Sequence, residues 1–203
     1  MSHGDLLPTV DHAQVVAERR GRSAQAVERR RMRERELAKE AARWLGDDLV
    51  EGPTEFRGQQ TIVCTLQSAH ALLRHLRDAL GFDMLTDLTA VDALQLEGDH
   101  PERFWVVWNL ANLTQNALLL VKAYVPEDDP VVPTASDVWP AADWAEREVY
   151  DMFGIEFSSH PNLIRLLMPA EYSGHPLRKD YPLRGRGERD NFPVIRRSNE
   201  EDA

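Results

Sequence analysis

Two apolar runs separated by a short polar turn constrain this chain more than any other feature. Phe104 to Ala111 (FWVVWNLA) is β-branched and aromatic at most positions, and Leu118 to Val125 (LLLVKAYV) returns with the same character. Asn112 to Asn116 supplies the turn, so the pair is predicted as an antiparallel hairpin. A strand that is apolar on both faces needs cover on both faces, which makes this hairpin the centre of a layered domain.

The flanking segments supply that cover. Ser68 is placed to cap a helix whose apolar positions Ala69, Leu72, Leu73, Leu76 and Leu80 fall on one face, with Gly81 closing it. Thr61 to Leu66 and Met84 to Leu94 read as strands on either side of it. Ala24 to Leu45 reads as a helix with an apolar stripe only in its second half, at Leu37, Ala41, Trp44 and Leu45, and Gly46 suits the left-handed position after it. Its first half therefore projects, and residues 1–22 read as a mobile arm. A further helix is predicted from Asp143, as N-cap of a capping box with Glu146, to Gly154, burying Ala145, Val149, Met152 and Phe153. Beyond Gly154, five of the 12 prolines fall in fewer than fifty residues, and only Leu163 to Met168 has the pattern of a short helix. The order predicts an α+β fold: a small, mostly antiparallel sheet with packed helices, an N-terminal helical arm and a long extended C-terminal tail. The expected divisions are a basic arm (1–35), a core domain (36–155) and a partner-docking tail (156–203).

Composition excludes several functions. Among 203 residues there is one cysteine, Cys64, so this sequence holds neither an internal disulfide nor a four-thiolate iron–sulfur or zinc site. No stretch is apolar enough to span a bilayer. Met1 to Asp11 carries no basic n-region or apolar h-region, so a cytoplasmic location is expected. The net charge of −10 is uneven: Glu18 to Arg43 holds ten basic and five acidic residues, and Arg178 to Arg197 seven and three. Two cationic appendages flank an acidic body, a pattern that marks contact with anionic surfaces.

The chemistry-bearing residues form no recognisable catalytic set. Glu146 and Glu148 stand two apart on a helix and point away from each other, while Arg147 and Asp151 have the spacing of an ion pair. His160, His175 and Asp180 match no zinc spacing, and His70 and His75 are five apart, off a shared helix face. Gly185 to Glu188 (GRGE) lacks the G-x-G-x-x-G spacing and follows no strand. The basic stretches lack interleaved aromatics, so no nucleic acid is expected. The tail remains. In HPNLIRLLMPAEYSGHPLRKDYPL, rigid prolines, spaced aromatics and the Arg178–Lys179–Asp180 cluster suit an ordered strap, because proline lowers the ordering entropy of an extended segment. Its apolar residues Ile164, Leu166, Leu167, Phe192, Val194 and Ile195 predict that it lies on a partner.

These segments also resemble a known family. Asp137 to Ile155 (DVWPAADWAEREVYDMFGI), His160-Pro161 and Gly174 to Leu183 (GHPLRKDYPL) are similar to the signature of the 30-kDa, C-type subunit of respiratory complex I, the proton-translocating NADH–quinone oxidoreductase. The likeness extends over roughly Leu37 to Phe192. One departure is Ile164 before Arg165, where the family has a second basic residue; the arm before residue 35 is not a family feature. The resemblance implies a core subunit of the hydrophilic, peripheral arm that scaffolds the quinone-reducing module. It implies no cofactor in this chain, with FMN and iron–sulfur clusters held by partner subunits, and no catalytic or metal residue. The implied partners are the large subunit shaping the quinone site and the iron–sulfur subunits, at the cytoplasmic face of the membrane, with membrane contact only through the complex. The corresponding docking residues are Glu146, Arg147, Glu148, Asp151, His160, Arg165, His175, Arg178, Lys179 and Asp180. The equivalent subunit of a membrane-bound hydrogenase, or of a ferredoxin- or deazaflavin-dependent dehydrogenase, is the alternative; a nucleic-acid- or lipid-binding protein using the basic arm is the rival of another class.

Overall fold

The hairpin forms as its sequence requires: strand Phe104–Asn112 pairs antiparallel with strand Ala117–Val125 from Phe104 opposite Val125 to Asn112 opposite Ala117. In this computed structural model, which describes residues 12–187 and side chains from residue 23 onward, helix α1 (His12–Leu45) is followed by a 3-10 turn. Then come β1 (Leu49–Phe56), β2 (Gln59–Cys64), α2 (Ala69–Asp78), β3 (Met84–Asp92) and the hairpin strands β4 and β5. A short β6 (Val131–Pro133), α3 (Ala141–Phe153) and β7 (Glu156–Ser158) complete the elements.

The main sheet has the order β1-β2-β5-β4-β3 and is antiparallel except at β2–β5. Helix α2 carries the chain across from β2 to β3, and the hairpin fills the gap between those two parallel strands. The α+β prediction therefore holds. Alternate residues of the hairpin, among them Val106, Trp108, Leu119 and Val121, are buried against Leu72, Leu73 and Leu76 of α2 and Leu37, Ala38 and Ala41 of α1. Trp108 is wholly buried, so its truncation to Ala would cost ~3–5 kcal/mol.

Several local expectations change. Helix α1 begins at His12, inside the segment read as an arm; its 34 residues span about 51 Å. Residues 1–11, and the tail from 188 with Phe192, Val194 and Ile195, lie outside the described residues. Trp44 is half exposed, stacked on His75 at 4.5 Å, because the inward stripe runs instead through Glu34, Leu37, Ala38, Ala41 and Leu45. Glu34 is buried: it accepts the Leu118 N–H at 2.8 Å and pairs with Arg30 at 2.8 Å. Ser68 stands before α2 but caps nothing, its hydroxyl turned back to Thr65. Strand β1 was not anticipated, since Gly52 and Pro53 interrupt its pattern; it occupies the sheet edge, where proline is tolerated. Gly52 (φ +104°) is required there because a Cβ would lie 2.8 Å from the Thr61 carbonyl. The 163–168 segment forms no helix.

Candidate docking site

Helix α3 positions the site, and it starts earlier than its sequence suggests. Pro140 is its N-cap, which puts Asp143 in the first turn and removes the predicted capping box. Glu146 is thereby freed to point inward, where it is completely buried. Its carboxylate accepts the Ala135 N–H at 2.6 Å and the Thr134 hydroxyl at 2.5 Å, tying α3 to the loop before it. Burial pushes this carboxyl up to about 7, with the nearby charges of Asp143 and Asp137 acting in the same direction. His160, also buried, donates from Nε2 to the Asp143 carbonyl (3.1 Å) while its Nδ1 accepts the Asn162 N–H (3.0 Å). That pair of bonds places a proton on Nε2.

The other end of α3 is organised by Asp151, likewise fully buried. One oxygen accepts three successive backbone N–H groups, from Leu166 (3.0 Å), Leu167 (2.7 Å) and Met168 (2.8 Å); the other accepts Arg165 Nη1 at 2.6 Å. Four donors outweigh the cost of burial, and the carboxyl is held below its ordinary range. A carboxylate so placed replaces the helical hydrogen bonds that segment lacks, which is why 163–168 is ordered without being a helix. The predicted Arg147–Asp151 pair does not form. Arg147 instead reaches the Ile164 carbonyl at 3.1 Å and lies over the exposed Trp144 ring.

The strap then runs back across the end of α3. His175 Nδ1 donates to the Asp151 carbonyl (3.0 Å), Leu177 N–H to Met152 (3.1 Å) and Arg178 Nε to Phe153 (2.5 Å). Burial lowers the His175 imidazole below its usual value, which keeps it neutral. Gly154 (φ +71°) makes the crossing possible: a Cβ there would stand 2.6 Å from His175 Nε2 and 2.8 Å from Arg178 Nη2. A second buried carboxylate, Asp92 at the end of β3, receives the Lys179 N–H (2.8 Å), the Leu94 N–H (3.0 Å) and Arg103 (2.9 Å). Arg103, 8% exposed in its side chain, also bridges Asp180 at 2.8 Å and Glu127 at 2.5 Å.

Glu146, Asp151, His160, Arg165, His175 and Arg178 thus converge along one helix, and Asp180 joins through Arg103. Their partners lie in this chain: the strap predicted to press on a neighbour is bonded to its own domain as far as Asp180, beyond which Pro182 to Arg184 are exposed. Glu148 and the Lys179 side chain are exposed and make no ion pair among the described residues. Sequence reasoning missed Asp92, Arg103 and Thr134. An Asp inside the otherwise apolar run LTAVDAL was the available signal, since a carboxylate at a buried strand position needs a cation. Beside Glu146 opens a cleft of about 680 Å³ lined by His70, Ser136, Asp137, Asp143 and Ser159. Among the described residues no group of three or more His, Cys, Asp or Glu is placed to hold a metal, and no helix is long and apolar enough to cross a membrane.

Residues 62–187 match the family described as the respiratory-chain NADH dehydrogenase, 30 Kd subunit. The C-type subunit of the NADH-quinone oxidoreductase of Citrifermentans bemidjiense is 48% identical over 132 residues, 65% of this chain and 80% of that relative. Its counterpart in Laribacter hongkongensis is 44% identical over 144 residues, 70% of this chain and 73% of that one. Among solved structures, a trypsin-resistant fragment of Nqo5 superposes with a TM-score of 0.57 at 33% identity, covering 66% of this chain and 99% of the fragment. A chain of the membrane-bound sulfane sulfur reductase, an archaeal respiratory membrane complex, shares the fold (TM-score 0.61, 23% identity, 83% and 96% covered). Helix α1 and strand β1 lie outside the matched family span.

Proposed function

The chain belongs to the family of the 30-kDa subunit of respiratory-chain NADH dehydrogenase and is a subunit of NADH–quinone oxidoreductase; from that premise we propose that it serves the complex as a cofactor-free, non-catalytic scaffold. The observation that carries this reading is the strap. Two buried carboxylates, Asp151 and Asp92, hold an extended proline-rich segment against the domain, with Ile164, Leu167 and Leu177 of that segment facing outward. Such a surface gives position and rigidity to neighbours. Its one thiol, Cys64, is buried and pushed up to about 12, which suits a packing role over a ligand role.

In this proposal the strap and the exposed Glu148 and Lys179 side chains meet the large subunit that shapes the quinone site and the iron–sulfur subunits. The whole sits at the cytoplasmic face of the membrane, attached only through the complex. Electrons pass from NADH through flavin and clusters held by other chains. The buried Glu146 and Asp151, the buried side chain of His160 and the partly buried Arg165, His175 and Arg178 act by holding the docking surface in shape, and Asp180 by closing it onto Arg103.

A tagged chain pulled down from detergent-solubilised membranes tests this directly. Flavin- and cluster-bearing polypeptides are expected to be recovered with it, while the chain purified alone carries neither flavin absorbance nor iron. Arg178→Ala is expected to lower recovery of the complex without shifting the potentials of the clusters that do assemble. Stoichiometric flavin or iron on the isolated chain, or a fully assembled Arg178→Ala complex without turnover, would overturn the reading.

A further inference from the structure

The hairpin sequence demands cover on both faces, and the structure covers one. All three helices and the core cluster lie on the side of Trp108, Val106 and Val121. On the opposite side, the registers β3–β4, β4–β5 and β5–β2 set six residues, Trp105, Val107, Leu118, Leu120, Lys122 and Val63, on one face: Val63 is buried, the other five are half-buried, and Thr61, Thr89, Asn109 and Tyr124 stand among them. None of these six belongs to the helix-side core. An antiparallel sheet facing water alternates to polar residues on its wet side; here Trp105, Val107, Leu118 and Leu120 share that side with the polar ones. Near one end of the face lies a hollow of about 120 Å³, lined by Gln59, Gln60, Thr86, Asn109, Leu118 and Leu120.

The field has one cation near its centre. Lys122 holds its ammonium 4.4 Å from the Trp105 ring centroid and makes no ion pair among the described residues. The neighbouring Glu51 carboxylate is engaged by the Tyr124 hydroxyl at 2.6 Å. Burial already lowers the Lys122 amine below its ordinary value, so covering the field further would cost that charge heavily unless the cover brought a carboxylate.

We infer that the open face of the sheet is a docking surface for another polypeptide of the assembly, one that presents apolar side chains and sets an Asp or Glu against Lys122. This surface lies across the sheet from the strap, so the domain is held from two sides. The inference rests on the subunit reading, since it needs a partner within the complex.

Two measurements on assembled protein decide it. Leu120→Cys adds a thiol to the face, and the buried native Cys64 contributes little background. Maleimide labelling of that position is expected to be at least tenfold slower in the purified complex than in the purified full-length chain. Equal rates in a complex that co-purifies intact would overturn this inference and leave the subunit reading standing. In the same complex, a zero-length carbodiimide is expected to join Lys122 to an Asp or Glu of a different polypeptide, and Lys122→Gln to abolish that product. Recovery of Lys122 joined only to Glu51 of its own chain, joined to a second copy of this chain, or unjoined would overturn it. The carbodiimide result stands by itself where the free chain cannot be purified.

Discussion

Glu146 and Asp151 sit five residues apart on one helix, both with no exposed surface, yet their proton affinities move in opposite directions. Asp151 faces three backbone N–H groups and an arginine; Glu146 has one N–H, one hydroxyl, the His160 Nε2 at 3.8 Å and two acidic neighbours. Burial raises both, more strongly at Glu146, and the greater number and positive charge of the donors at Asp151 turns its shift the other way. The end of α3 is therefore a charge-stabilised pin, while its beginning is held by a carboxyl that keeps its proton to near neutrality.

The largest effect expected from this contrast is at the pin. Asp151→Ala strands Arg165 and three backbone N–H groups, and should lower the unfolding free energy by about 3–5 kcal/mol in denaturant titrations. Limited proteolysis should then cut first within 163–180. A loss below about 1 kcal/mol would mean that the strap does not depend on the pin.

The pH dependence separates the two carboxylates next. Asp151 is depressed below 3.8, so its contribution is complete above that value and is lost as pH falls through its lower folded value. Glu146 is raised from 4.5 to about 7. The folded chain then holds a proton that the unfolded chain has released, and stability should decline between about pH 4.5 and 7, by up to on the order of 3 kcal/mol, and level off above. Glu146→Gln should flatten that window in pH-resolved melting curves and leave the acid limb unchanged. A persistent decline in the variant would place the titrating group elsewhere.

Gly154→Ala comes third. A left-handed φ and a Cβ driven against His175 and Arg178 should cost about 1–3 kcal/mol, with a lowered melting temperature and earlier cleavage of the strap. The smallest effect is expected at Asp180→Asn. Asp180 is half exposed, and Arg103 keeps Asp92 and Glu127, so the loss of chain stability should stay within about 1 kcal/mol. A larger loss would make the exposed bridge, and not Asp92, the second anchor.

Much of this fold was legible in residue order. The hairpin follows from two β-rich apolar runs around a turn and α2 from a period of 3.6, which are local properties of a chain. Strand β1 was not, because Gly52 and Pro53 erase its period while the sheet edge accepts them. The site was half legible: the residues of α3 and the tail were identifiable, but their partners were not. The spacing of Arg147 and Asp151 is right for an ion pair, yet Asp151 finds better donors in a segment fifteen residues on, and Asp92 and Arg103 meet Lys179 and Asp180 across some eighty.

The sequence by itself determined the hairpin, the principal helices, the family and the presence of a single thiol in this chain, since each depends on residue identity and short-range order. The tertiary structure decided that the strap closes on its own domain, that Glu146 and Asp151 part in their chemistry, and that one face of the sheet stays open. Those outcomes depend on which donors and which surfaces long-range folding brings within hydrogen-bond reach, and no local period encodes that.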